Sequence, residues 1–195
     1  MSKQLVRRVS SYVLLALALG LGGCANPATV QGMTVKTAEL SPAAPEVASS
    51  LEIQDVTGGK ETNAMWHSEV SNTDFKTALV ASMKTAGLLS EANAARFKVR
   101  VTLLKLDQPF MAIDMKVIAT VRYVVVDAKS GAEILNEVVT TPFTAHLGDA
   151  VVGTTRLRLA NEGAARKNIA GFIAQVNATK LGAGTGTGTE KTASR

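Results

Sequence analysis

Cysteine, histidine and aromatic residues are scarce in this 195-residue sequence, which contains one cysteine, two histidines and one tryptophan. A single cysteine excludes an internal disulfide. A zinc site needs three or four convergent ligands, and no short spacing of histidine, cysteine and carboxylates provides them. Ser68, His146 and Asp149 form a conceivable hydrolytic set, but no Gly-x-Ser-x-Gly motif supports it. We therefore predict a protein with no enzymatic activity, no cofactor and no metal.

A long hydrophobic run is missing at the N-terminus, where the apolar stretch at 12–21 is too short to span a bilayer comfortably. Lys3, Arg7 and Arg8 precede this stretch without an acidic residue, and small residues follow it. A basic start, a short apolar core and small residues are the order of a secretory signal peptide. We predict that residues 1–23 are a signal peptide.

The single cysteine follows that segment directly, in the sequence Leu21-Gly22-Gly23-Cys24. This stretch resembles the lipobox of bacterial lipoproteins. The resemblance implies that Cys24 is acylated and becomes the first mature residue. Because Ala25 rather than aspartate follows, the resemblance implies the outer membrane, periplasmic side. The alternative is an ordinary signal peptide or an N-terminal anchor helix in which the cysteine is incidental.

The charge of the chain offers no reason to expect a nucleic-acid partner. The whole sequence has 21 basic and 16 acidic residues. Three of the basic residues lie in the predicted signal peptide, so the remainder is close to balanced. A nearly neutral protein carries no global electrostatic signal for nucleic acid.

Composition divides the rest of the chain into a compact middle and two ends that are predicted to be disordered. Residues 24–49 are rich in Ala, Pro, Ser, Thr and Val, and we predict a lipidated cysteine followed by a flexible tether. Residues 50–180 have the length of one domain. Residues 181–195, with a Gly-Thr repeat, are predicted to be a disordered tail.

The hydrophobic periodicity of the middle segment predicts the order β-α-β-β-β-α. Strands are expected at about 51–56, 97–106, 111–127 and 134–141, and helices at about 72–86 and 154–176. A strand–helix–strand start favours a parallel pair, and the two hairpins continue antiparallel. The fold class is therefore α/β (α+β), a two-layer sandwich with a mixed sheet of about four strands and two helices on one face. We expect one core containing Leu79, Val101, Val117, Val121 and Phe172.

The run RFKVRVTLLKLDQP…VIATVRYVVVDAKSGAEI, the cysteine and this element order together resemble small Gram-negative outer-membrane lipoproteins. That group includes the lipoprotein subunit of the lipopolysaccharide-assembly complex and YajG-type lipoproteins of unknown function. The resemblance covers about residues 50–180 and rests on pattern. It implies a fold and a compartment, and it implies no catalytic residues.

The strand alternation also predicts which side chains point away from the helices. Four cations and two of the aliphatic residues between them form a candidate partner-binding set: Lys98, Arg100, Lys116, Arg122, Ile118 and Val124. A partner with apolar groups and negative charge suits such a face, either an envelope protein or an anionic glycolipid. The alternatives are a face that meets only water or one that the tether covers.

Trp66 is a second candidate, because it lies in the long connection at 57–71 and tryptophan is a frequent binding anchor. The other interpretation is that Trp66 closes the end of the core.

The function is predicted to be that of a non-catalytic envelope assembly or binding subunit. The alternative is a periplasmic small-molecule carrier or enzyme with a pocket between sheet and helices.

Overall fold

The structure is a computed structural model that describes residues 25–63, 67–91 and 95–179. Its strands are β1 (Leu51–Thr57), β2 (Phe97–Asp107), β3 (Met115–Asp127) and β4 (Glu133–Ala145). Its helices are α1 (Val30–Met33), α2 (Asn72–Thr85) and α3 (Gly153–Ala178), with a short 3-10 helix at Thr37–Glu39. The predicted signal peptide, Cys24, Trp66 and the predicted tail at 181–195 lie outside the described residues.

The four strands form one sheet in the order β1-β2-β3-β4. β1 and β2 are parallel, and the other two pairs are antiparallel. Helix α2 connects the parallel pair, as a parallel pair requires a crossover. The predicted element order, the mixed four-strand sheet and the sandwich architecture are therefore confirmed.

Local sequence signals explain where α2 begins and ends. The Ser71 side chain accepts a hydrogen bond from the Asp74 backbone N–H at 3.0 Å, which caps the first turn. Gly87 follows the helix with a φ of +75°, a left-handed conformation that glycine adopts without steric cost. Gly87 ends the helix where the sequence predicted, whereas the predicted cap at 72–74 was wrong by at least one residue, because Ser71 is the cap.

The two long helices cover one side of the sheet and bury the alternate residues of β2 and β3. All five residues expected in the core are buried, which confirms the assignment of the strand faces: Leu79, Val101, Val117, Val121 and Phe172. Four belong to the larger apolar cluster, and Val117 belongs to a smaller one near the start of α3. The rings of Tyr123 and Phe172 stack with centroids 4.1 Å apart, so α3 contacts the sheet directly.

Helix α3 lies so close to β4 that a glycine is required at the contact. A Cβ on Gly163 would overlap the ring of Phe143. The cost of glycine in a helix, about 1 kcal/mol against alanine, is therefore offset by this close packing. Phe143 lies inside β4, which extends four residues beyond the predicted end at Thr141. Residues 142–145 therefore belong to β4, which corrects the predicted end of this strand.

The segment predicted to be a flexible tether is packed against the domain from residue 25 to residue 49, and that prediction was wrong for this part of the chain. Its apolar side chains are buried: Ala28, Met33, Val35 and Val47. The Thr29 backbone N–H donates to Glu162 Oε1 at 2.9 Å, and Arg166 donates to the Gly32 carbonyl at 2.7 Å. Small apolar residues are sufficient here because α2 and α3 supply a surface that composition alone does not reveal.

Candidate functional site

The side of the sheet opposite the helices, which we call the open face, carries the residues of the predicted binding set. On β2 and β3 it presents Lys98, Arg100, Thr102, Lys116, Ile118, Thr120, Arg122, Val124 and Val126. Arg100, Lys116 and Arg122 are exposed, whereas Lys98, Ile118 and Val124 are partly buried. The orientation predicted from the alternation is therefore the one that the structure has.

The strand register divides this set into two groups. Arg100 lies opposite Val124, and the next outward pair is Thr102 with Arg122, so the two arginines are diagonal neighbours. Lys98 is the preceding outward residue on β2. Lys116 is six residues from Arg122 along β3, about 20 Å at the usual strand rise. We call Lys98, Arg100, Arg122 and Val124 the cationic group; Lys116 and Ile118 form a separate pair.

The four cations of the predicted set have no partner among the described residues, whereas Lys105, which lies opposite Thr120 after a bulge in β2, pairs with Asp107 at 3.0 Å. In the ranges 25–63, 67–91 and 95–179, no ion pair or side-chain hydrogen bond involves Lys98, Arg100, Lys116 or Arg122. On the neighbouring strand β1, Glu52 lies opposite Lys98 and Asp55 lies opposite Arg100. The face is thus mixed in sign at its β1 edge and cationic toward β3.

Aliphatic side chains continue beyond the residues that the sequence identified. Val138 of β4 lies opposite Arg122 and is 44% exposed. Pro142 lies opposite Ile118. Sequence alternation on β4 could have identified Val138, since it stands two residues from Asn136 and two from Thr140 on the same side.

The connection between β1 and α2 is held by hydrogen bonds on both sides of its undescribed part at 64–66. The Lys60 backbone N–H donates to the Val70 carbonyl at 3.0 Å, and the Glu69 N–H donates to Thr62 Oγ1 at 2.9 Å. The Ser68 carbonyl accepts from Asn161 at 2.7 Å and from Gln108 at 3.0 Å. This connection is therefore bonded to α3 and to Gln108, the residue that follows β2, and the role of Trp66 in it stays a prediction.

A cavity of about 240 Å³ lies between the sheet and the helices near this connection. Phe75, Leu103, Val121 and Ala165 are among its apolar lining, and Lys60 and Glu69 contribute charge. Burial raises the pKa of the Glu69 carboxyl, against the opposing effects of Lys60, His67 and the Gln108 hydrogen bond. The cavity is smaller than the usual 300–1,000 Å³ of ligand pockets.

The residues of the conceivable hydrolytic set are not arranged for catalysis. Ser68 is fully buried. The Nδ1 atom of His146 lies 3.0 Å from Asp114 Oδ2, and the Asp149 carboxylate accepts from the His146 backbone N–H at 2.7 Å. Among the described residues, no three His, Cys, Asp or Glu side chains are grouped so that they could hold a metal ion. In the same ranges, no helix combines the length and the apolar character needed to cross a bilayer.

The start of β3 differs from the sequence prediction. The strand begins at Met115 rather than at about residue 111. Ile113, which the alternation assigned to the core, is 72% exposed in the connection between β2 and β3. Asp114 is likewise a connection residue, with its carboxylate bonded to His146 and to the Leu147 backbone N–H. The hairpin loop is therefore longer and more apolar on its surface than expected.

No protein-family model and no curated protein sequence matches this chain. Among solved structures it is similar to a Xanthomonas campestris protein of family DUF330, with 10% identity, 75% of this chain and 93% of that chain covered, and a TM-score of 0.56. A PelC dodecamer subunit from Paraburkholderia phytofirmans gives 12% identity, coverages of 70% and 92%, and a TM-score of 0.48. A minor lipoprotein from Acinetobacter baumannii gives 18% identity, coverages of 66% and 89%, and a TM-score of 0.40.

Of these three likenesses, only the first exceeds a TM-score of 0.5, and it shows a shared fold. At such identities the fold carries no function with it. The relation to lipopolysaccharide-assembly and YajG-type lipoproteins remains a resemblance of the sequence.

Proposed function

We propose that this chain is a non-catalytic outer-membrane lipoprotein, anchored by a lipid on Cys24, whose open face binds an envelope partner. The partner has apolar groups beside negative charge, as an acidic protein surface or an anionic glycolipid does. The observation that carries this proposal is the cationic group. Three cations without a partner in the described chain lie beside a half-buried valine on a sheet face that none of the described helices covers.

The chemistry of the cationic group suits phosphate or carboxylate. A guanidinium offers two parallel N–H donors, so Arg100 and Arg122 suit bidentate contacts, and Lys98 adds a point charge. Val124 between them, together with Val138 across the β3–β4 pair, offers aliphatic surface to acyl chains or to apolar side chains. A face that met only water would be expected to carry fewer aliphatic residues.

The anchor is tested by Cys24→Ser. If Cys24 carries the lipid, the variant leaves the membrane fraction or accumulates with its signal peptide uncleaved. Ala25→Ser is the matched control, because it alters the neighbouring position and leaves the thiol in place. Normal processing and unchanged membrane attachment of Cys24→Ser would contradict lipidation.

The open face is tested by the double variant Arg100→Glu/Arg122→Glu. We expect loss of crosslinks to envelope proteins or loss of binding to purified lipopolysaccharide, and a weakening of wild-type binding as salt increases. The control is Lys36→Glu/Lys129→Glu, which changes the net charge equally at exposed positions away from this face. If both double variants keep every interaction, the open face is not the site.

The cavity supports a second candidate, a carrier for a small apolar molecule. Its lining combines apolar side chains such as Phe75 and Val121 with polar groups, including Glu69 and Lys60. Ala165→Leu would fill the cavity from α3 without altering the open face. If that variant loses envelope function while Arg100→Glu/Arg122→Glu retains it, the carrier function is correct and the open-face proposal is not.

A further inference from the structure

Two connections meet at one end of the sheet: residues 108–114 between β2 and β3, and residues 146–152 between β4 and α3. Asp114 joins them, since its carboxylate lies 3.0 Å from His146 Nδ1 and accepts from the Leu147 backbone N–H at 3.1 Å. Six large apolar side chains project from these connections, and we call them the apolar tip. They are Phe110 (77% exposed), Met111 (82%), Ile113 (72%), Leu147 (53%), Val151 (88%) and Val152 (42%).

Hydrogen bonds from the first turn of α3 and within the 146–152 connection hold the apolar tip in place. The buried guanidinium of Arg156 donates to the Ala150 carbonyl at 2.6 Å and to the Val151 carbonyl at 2.7 Å. The Asp149 carboxylate accepts from the His146 backbone N–H at 2.7 Å. The apolar side chains are thus presented by a hydrogen-bonded base. Exposed apolar groups clustered in this way mark a protein or membrane contact.

The charge of these connections indicates what kind of surface they meet. Neither 108–114 nor 146–152 contains a lysine or an arginine. Both of their acidic residues, Asp114 and Asp149, accept hydrogen bonds from the opposite or the same connection. An acidic partner would find no lysine or arginine in these connections, whereas the apolar boundary of a bilayer requires none.

The N-terminal part of the described chain leads to this same end of the domain. Ala44 bonds to Asn177 near the end of α3, and Thr29 bonds to Glu162 in its first half. Traced from residue 44 back to residue 29, the chain therefore runs toward the start of α3, where the apolar tip lies. The Ala28 N–H donates to the Glu69 carbonyl, and Glu69 in turn accepts from Gln108, the first residue of the 108–114 connection.

Only three residues separate Cys24 from Ala28 along the sequence, which limits how far from this end a lipid could be attached. Four residues span at most about 14 Å even when fully extended. Ala25 is itself buried, and Ala28 is bonded to Glu69, so a lipid on Cys24 would have no long tether. The lipid and the apolar tip are therefore expected to approach the membrane from the same side.

We propose that the apolar tip lies in the bilayer interface beside the lipid on Cys24, so that the domain stands directly on the membrane with its strands pointing away from it. This rests on the lipidation proposed above. The acyl chains supply most of the membrane affinity, and the tip fixes the orientation. Lys116 and Ile118, next to the start of β3, lie near the headgroups, and the cationic group lies about 20 Å further along the strand.

The test uses the purified full chain, processed and lipidated, in vesicles of phosphatidylethanolamine and phosphatidylglycerol. An acylated Cys24 has no free thiol, so Met111→Cys and Val151→Cys each introduce a single site for a nitroxide label. Lys129→Cys, at the turn beyond the other end of β3, is the matched control. We expect both tip labels to collide several-fold less with a water-soluble nickel chelate than the control label, and more with oxygen.

Each other result overturns a defined part of the proposal. Tip labels as accessible to nickel as the label at 129 would show that the tip stays in water. Labels protected from both agents, with spin–spin broadening, would show that a second copy covers the tip. A native chain whose Cys24 itself takes the label has no lipid, which overturns the anchor and with it the membrane contact. Both tip positions are highly exposed, so neither substitution removes a core contact.

Discussion

The two faces of strand β3 use alternate residues of one stretch of sequence for opposite purposes. On the side covered by the helices, Val117, Val121 and Tyr123 have at most 1% of their surface exposed. On the open side, Lys116 and Arg122 are exposed. The comparison indicates that burial under α2 and α3 determines stability, whereas the open face is available for binding.

The covered face also contains a polar network, which fixes how α3 is placed on the sheet. The Tyr123 hydroxyl donates to Asn168 Oδ1 at 2.8 Å. The Asn168 amide donates to the carbonyls of Ala119 on β3, at 3.2 Å, and Val139 on β4, at 2.8 Å. Burial raises the pKa of the Tyr123 hydroxyl well above its ordinary value, so it remains a donor. No comparable buried network occurs among the described residues of the open face.

The largest expected effect is that of removing the ring that α3 stacks on the sheet. Phe172→Ala deletes a fully buried aromatic side chain that contacts Tyr123, and it should cost about 3–5 kcal/mol in the free energy of unfolding. Phe110→Ala, the same change at an exposed position of the apolar tip, is the control and should cost less than about 0.5 kcal/mol. Urea unfolding of both variants measures the difference. Equal midpoints would contradict the assignment of the covered face.

The polar network should show an intermediate effect. Asn168→Ala leaves the Tyr123 hydroxyl and two strand carbonyls without this partner in a buried place, which should cost about 1–3 kcal/mol. Asn136→Ala is the control, because Asn136 is exposed and bonds only to Glu133. Thermal unfolding of the two variants gives the comparison. If Asn168→Ala melts with the control, the network does not contribute to the placement of α3.

The sequence predicted the covered and open faces because apolar and polar residues alternate along a half-buried strand, and this alternation shows which side faces the core. The sequence was less informative where contacts with neighbouring elements determine the end of a strand or the burial of a segment. The end of β4 was predicted too early, just before Pro142, a residue that lacks an N–H group. β4 is an edge strand, however, and an edge strand tolerates proline where the missing donor would face solvent.

The packing of residues 25–49 and the apolar tip were missed for related reasons. Met33 and Val35 are buried only because the helices of the domain supply a surface for them, which a composition of Ala, Pro and Ser does not show. The tip requires two connections that are 32 residues apart at Asp114 and His146 to meet. Of the binding set, the individual orientations were predictable, and the separation of Lys116 from the cationic group follows from its position along β3.

The smallest stability effect is expected on the open face, and isosteric substitutions on β3 isolate it. Val121→Thr buries a hydroxyl among apolar neighbours, at a cost of about 1–3 kcal/mol. Val124→Thr makes the same change three residues along the strand, where the side chain is only partly buried, and should change the free energy of unfolding by less than about 0.5 kcal/mol. Binding should show the opposite order: Val124→Thr should weaken it more than Val121→Thr, since Val124 lies opposite Arg100 within the cationic group. Unfolding curves and lipopolysaccharide binding of both variants separate the two roles, because the Val121 variant should bind as the wild type does wherever it is folded. A Val124→Thr variant that is strongly destabilised would show that the open face takes part in holding the fold.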